Sequence, residues 1–91
     1  MRTVGAIVRG RVQGVGYRAW TEQQAKSLGL EGWVRNRRDG TVEAQIVGSD
    51  ASIDALLRRL REGPPGSCVE AVEVTVAKTA VQPGFRILPT V

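Results

Sequence analysis

Ninety-one residues suffice for one domain with a single modest core, here expected over residues 1–91. The chain is 42% hydrophobic and 24% charged and carries no histidine. That excludes Ser-His-Asp and Cys-His nucleophile systems, histidine-zinc sites and phosphohistidine chemistry. No apolar run approaches the ~18 residues of a membrane span, and Met1-Arg2-Thr3 leads directly into strand-like sequence rather than a leader. The expected compartment is the cytoplasm. The single Cys68, between Gly66-Ser67 and Val69, excludes an internal disulfide and offers no metal-ligand spacing; it is expected to be a buried structural thiol. A net charge of +4, with eleven arginines against two lysines, points to an anionic partner: nucleic acid, a membrane surface or a small phosphorylated substrate.

Residues 4–11 form the first strand candidate. Residues 17–28 fit a helix with Tyr17, Thr21, Gln24, Ala25 and Leu28 along one side and Gly29 as its stop. Residues 31–36 are a short strand, followed at Arg37-Arg38-Asp39-Gly40 by an Asp-Gly hairpin turn. Residues 41–47 alternate, with Val42, Ala44 and Ile46 facing inward and Thr41, Glu43 and Gln45 outward. Gly48-Ser49-Asp50 offers caps for a helix over 50–62, whose Ile53, Leu56, Leu57 and Leu60 recur at helical spacing. Gly63-Pro64-Pro65-Gly66 ends it. The valine-rich stretch 68–77 reads as a strand, and Glu70 and Glu73 fall on opposite parities, which hints at a bulge. A last short strand spans Phe85 to Leu88.

The order is β-α-β-β-α-β plus a short C-terminal strand. A hairpin between the helices makes the central strands antiparallel, which gives an α+β architecture with two helices on one face of an antiparallel sheet. This is the ferredoxin-like, split β-α-β plan. It hosts many functions, so the function must come from the residues. An RNA-recognition sheet would need aromatics on its first and third strands, and residues 3–11 and 41–47 contain none. No nucleic-acid partner is therefore expected.

Residues 10–18, Gly-Arg-Val-Gln-Gly-Val-Gly-Tyr-Arg, admit three readings. Gly14 to Ala19 matches a dinucleotide fingerprint with Asp39 twenty residues beyond, but Asp39 sits in a hairpin turn rather than at the end of a second parallel strand. A Walker loop fails because Arg11-Val12 follows Gly10 where Lys-Ser/Thr is required. The third reading is an anion cradle. Glycines at 10, 14 and 16 permit positive φ, so that successive N–H groups turn inward at a helix N-terminus. Arg18 can add a bidentate fork to phosphate oxygens, and a cation in the first helical turn is otherwise poorly placed against the helix dipole.

These nine residues resemble the first signature of the acylphosphatases. A second signature of that family is recognisable from Gly32 through Trp33, Val34, Arg35, Asn36, Arg37, Arg38, Asp39, Gly40, Thr41 and Val42 to Gly48. The resemblance covers essentially the whole chain; its departures are Tyr17, where phenylalanine is usual, and a bulky Trp20. It implies metal- and cofactor-free hydrolysis of acyl phosphates to a carboxylate and inorganic phosphate, with Arg18 as the phosphate-binding arginine and Asn36 orienting the attacking water. The backbone N–H groups of Gln13, Gly14, Val15 and Gly16 form the cradle, and no metal is expected.

Chemistry supports that division of labour. The substrate has a good leaving group, so the protein must position reactants and stabilise charge on the phosphoryl oxygens. Asn36 can accept and donate to a water but cannot act as a base, so the proton passes to the substrate phosphate or to solvent. Trp33 is expected to pack on the sheet, and Trp20 either packs at the helix edge or lines the pocket mouth. Arg35, Arg37 and Arg38 are expected to steer the anion, whereas Arg58, Arg59 and Arg61 mark a solvated helix face. The expected partner is a small acyl phosphate and the expected state a monomer.

Overall fold

In a computed structural model that describes residues 1–77 and 82–91, seven elements follow one another in the expected order. They are β1 (Arg2–Arg11), α1 (Tyr17–Ser27), β2 (Glu31–Asn36), β3 (Val42–Gly48), α2 (Asp50–Glu62), β4 (Cys68–Val76) and β5 (Phe85–Ile87). The strands form one sheet in the order β4-β1-β3-β2-β5. Both helices lie against one face, with α1 over β2 and β5 and α2 over β4, β1 and β3.

Alternation along the strands explains the layering. Val4, Ala6 and Val8 of β1, Val42, Ala44 and Ile46 of β3 and Val34 of β2 are all buried on the helix side. They meet Tyr17, Thr21 and Ala25 of α1 and Ile53, Leu56, Leu57 and Leu60 of α2. Truncating a buried leucine such as Leu56 or Leu60 to alanine is expected to cost about 2–5 kcal/mol. The α1 helix ends at Gly29 (φ 69°) in a Schellman pair, Leu30 N–H to Ala25 O at 2.9 Å and Gly29 N–H to Lys26 O at 3.1 Å.

The sheet is not purely antiparallel. β5 pairs parallel to β2, with Gly32 opposite Phe85 and Val34 opposite Ile87, so the ferredoxin-like core carries one parallel edge. Buried Phe85 anchors that short strand to the core. Leu88 N–H to Val34 O (2.9 Å) and Val91 N–H to Asn36 O (3.1 Å) carry the chain on along β2.

At the other edge, Arg9 pairs with Ala71 and Gly10 with Val69, which leaves Glu70 as the extra residue of a β-bulge. Two expectations change here. A Cβ on Gly10 (φ 124°) would overlap the Cys68 carbonyl oxygen, so this glycine serves close strand approach at the bulge rather than the cradle. Cys68 is exposed and unpaired, not buried, because β4 is an edge strand with most of its residues open to solvent. Among the described residues no helix is long and apolar enough to cross a membrane.

Candidate active site

The loop between β1 and α1 packs beside the end of β2, and between them lies a cleft of about 250 Å³. Val12, Gln13, Gly14, Gly16, Tyr17, Arg18, Ala19, Asn36 and Ile87 line it, so among the described residues no carboxylate, thiol or imidazole does. Of the expected site residues, Gln13, Gly14, Gly16, Arg18 and Asn36 meet there. Val15 is not among the lining residues and its side chain packs against the core, so its backbone N–H is the one donor it has to offer the loop.

Gly14 (φ 75°) and Gly16 (φ 77°) are in the left-handed region, and a Cβ on either would meet nothing within 4 Å. Glycine is therefore required here by backbone conformation and not by crowding. Gly16 is the N-cap of α1, with no side-chain cap and no acid in the first turn. The N–H groups of Gln13, Gly14, Val15 and Gly16 donate to no other described residue. A helix start leaves four N–H groups without intrahelical partners and carries partial positive charge, so unspent loop donors beside it favour an anion. Arg18, partly buried, makes neither an ion pair nor a hydrogen bond among the described residues, so its guanidinium fork is uncommitted.

On the other wall, the Asn36 Oδ1 atom is buried and has no hydrogen-bond partner among the described residues. Such an orphaned acceptor costs about 1–3 kcal/mol unless something donates to it. Its backbone is fixed by pairing with Val42 and by the bond from Val91. The turn beyond is closed by Arg37 N–H to Thr41 O (2.9 Å) and Gly40 N–H to Arg37 O (3.1 Å). Asp39 accepts from the Thr41 amide (3.0 Å) and hydroxyl (2.6 Å), bonds that hold its carboxyl below the ordinary carboxylate value with help from Arg37 and Arg9. Asp39 therefore has a turn-closing role, which removes the dinucleotide reading.

Tyr17 lies beneath the cleft. Its hydroxyl donates to Leu60 O at 2.7 Å, and burial pushes its acidity further from neutrality, so the phenol ties α1 to α2 and is no proton donor for the reaction. Trp20 packs against the core with its ring 5.6 Å from that of Tyr17 and does not line the cleft, which decides between its two readings. Trp33 is half-buried on the open face of the sheet, beneath the Arg35 guanidinium at 4.5 Å. Arg35 is itself paired with Glu43 at 2.8 Å, Arg37 with Asp39 at 3.6 Å and Arg9 with Glu73. Of the three arginines expected to steer an anion, only Arg38 has no acidic partner among the described residues.

Two contributors were not foreseen. Ile87, from the parallel strand, walls the cleft, and its place could not be read without knowing where β5 pairs. The Gln13 side-chain amide bridges the two walls, for which the only signal was a polar residue between Val12 and Gly14.

Comparison with known proteins identifies the family. The acylphosphatase family model matches residues 4–87. This chain belongs to the acylphosphatase family. An acylphosphatase of Mesorhizobium japonicum is 56% identical over 88 residues, covering 96% of this chain and 94% of that protein. The crystal structure of acylphosphatase from Bacillus subtilis superposes with a TM-score of 0.89 at 34% identity, over 97% of this chain and 99% of that one. An acylphosphatase from Coxiella burnetii gives 0.91 at 34% identity, over 96% and 92%. The chain is thus an acylphosphatase, an enzyme that hydrolyses the carboxyl–phosphate bond of acyl phosphates to a carboxylate and inorganic phosphate.

Proposed function

We propose that the reaction divides between the two walls of the cleft. The phosphoryl group sits in the cradle, its oxygens accepting from the N–H groups of Gln13, Gly14, Val15 and Gly16 and from the Arg18 guanidinium. A water held by the Asn36 side chain attacks phosphorus. As the new P–O bond forms, the bond from phosphorus to the acyl oxygen breaks, the carboxylate leaves with its electron pair, and the water's proton passes to phosphate or solvent.

The observation that carries this reading is the buried, unpartnered Asn36 Oδ1 in the same cleft as unspent N–H donors and an uncommitted arginine. Donors already aimed at developing charge need no reorganisation during the reaction, and this preorganisation is the main way such a site can lower the barrier. Among the described residues the cleft lining has no anionic or imidazole donor, which supports a reaction without a metal, and we infer that no other cofactor takes part. We also infer a monomer, and we infer that it acts in the cytoplasm, for which an exposed, unpaired Cys68 suited to a reducing compartment is the support.

The test is phosphate release from a small acyl phosphate with a chelator present. Turnover is expected to persist, and Asn36→Ala should lose turnover while inorganic phosphate still inhibits it. Activity that vanishes with the chelator and returns with a divalent cation would contradict the metal-free reading, and unchanged turnover in Asn36→Ala would contradict the role of Asn36.

A further inference from the structure

The backbone ladder leaves the two walls of the site poorly joined. The last β1 residue paired with β3 is Val8, opposite Val42, and Asn36 of β2 pairs with that same Val42. Among the described residues β1 pairs from Arg9 onward only with β4, on the side away from Asn36, and the cradle at residues 13–16 follows that divergence. Among the described residues, the hydrogen bonds between the cradle and the segment 36–41 come from one group, the carboxamide of Gln13.

That amide makes two bonds. Gln13 Nε2 donates to Arg37 O at 2.8 Å and to Thr41 O at 2.9 Å. Both partners are carbonyl acceptors, so only the NH₂ end can face them and the amide's orientation is fixed by chemistry. Thr41 O also accepts from Arg37 N–H, and Asp39 holds Thr41. The Gln13 side chain therefore grips a turn that is already rigid, one residue beyond Asn36.

We propose that Gln13 is a positioning residue: its side-chain amide sets the distance between the phosphate cradle and the water on Asn36. The inference rests on the assignment of Asn36 given above. It adds a role for the Gln13 side chain that is separate from its backbone N–H, which any substitution except proline keeps. The role matters because attack on phosphorus needs the water and the phosphoryl group in line. A misplacement of about 1 Å can cost on the order of 100-fold in rate. Phosphate binding needs the cradle alone, so the two properties should separate.

The experiment measures kcat on an acyl phosphate and Ki for inorganic phosphate in Gln13→Met, which keeps the length and loses the donors. Turnover should fall by about 10- to 100-fold. The inhibition constant should stay within about threefold, the signature of lost positioning rather than lost binding. Gln13→Asn keeps the amide one methylene short and should show the same split at smaller size. In an Asn36→Ala background, Gln13→Met should change turnover by no more than about twofold, because the group it positions is gone. On the wild-type chain, the Gln13 side-chain amide protons should exchange with solvent more slowly than those of exposed Gln23, a readout that requires no variant to fold.

Turnover of Gln13→Met within about twofold of wild type overturns the proposal, as does an equal loss of turnover and phosphate binding. Fast exchange of the Gln13 amide protons also overturns it. If Asn36→Ala alone turns over normally, the failure lies with the water-orienting assignment; if Asn36→Ala is impaired and Gln13→Met is not, it lies with the clamp.

Discussion

The two helices of this domain begin in opposite ways. At α2, Ser49 caps the helix by accepting from Ser52 N–H at 3.2 Å, and Asp50 places an acid in the first turn. At α1, Gly16 in the left-handed conformation offers no side-chain cap, no acid follows, and the charged residue of the first turn is Arg18. The start of α2 is completed by its own chain. The start of α1 keeps its donors and its cation available, and it is the one that opens into the cleft with Asn36. Stability and the proposed phosphate binding make opposite demands on a helix N-terminus, and each helix start suits one of them.

The largest test of that contrast is to give α1 the electrostatics of α2. Arg18→Glu should abolish inhibition by phosphate and reduce turnover at least ~100-fold, as expected when a charge-stabilising donor is lost. The same change should raise stability by about 0.3–1 kcal/mol, because an acid suits this end of the helix dipole. Thermal melts and steady-state kinetics on one preparation check both signs; a variant that loses activity and stability together would contradict the contrast.

Next in size is Gly16→Ala, which forces a side chain into φ 77° and should cost about 1–2 kcal/mol while disturbing the cradle. Chemical denaturation measures the cost, and turnover should fall with it. Ser49→Ala at α2 should cost about 1 kcal/mol and leave turnover at the wild-type value.

The smallest effect expected is on acid stability. Asp39 is depressed chiefly by its bond from the Thr41 hydroxyl, then by the Thr41 amide, Arg37 and Arg9. A carboxyl lowered in the folded state contributes stability above its unfolded pKa and loses it as pH falls through the folded value. Thermal melts of wild type and Asp39→Asn should therefore differ at neutral pH and converge below the ordinary carboxylate range. Asp39 is exposed, with about half of its side chain open, so solvent and salt screen this contribution.

The same contrast shows what was legible in the sequence. Local chemistry could be read directly: the stripe from Ile53 to Leu60, the Asp39-Gly40 turn, and glycines at 14 and 16 that only a positive φ explains. Properties set by which strand lies beside which could not. β5 is three residues long and contains nothing that marks its partner as β2, so neither its parallel pairing nor Ile87 in the cleft wall was visible. Cys68 looked buried from its neighbours Gly66-Ser67 and Val69, whereas β4, which it opens, forms an edge. Gly10 looked like part of the cradle because its use, close approach to the Cys68 carbonyl, depends on the bulge. Arg35 looked like part of a steering field until its cross-strand neighbour Glu43 was placed beside it.

The central claim is that the start of α1, unlike that of α2, is built to hold one phosphate. Titrating isotope-labelled protein with inorganic phosphate while following its backbone amide resonances tests this most directly. The amides of Gln13, Gly14, Val15 and Gly16 and the Arg18 guanidinium should shift together along one saturating curve, while those of Ala51, Ser52 and Ile53 stay still. Shifts of equal size at both helix starts, or shifts confined to the open face of the sheet around Arg35 and Arg9, would contradict the account.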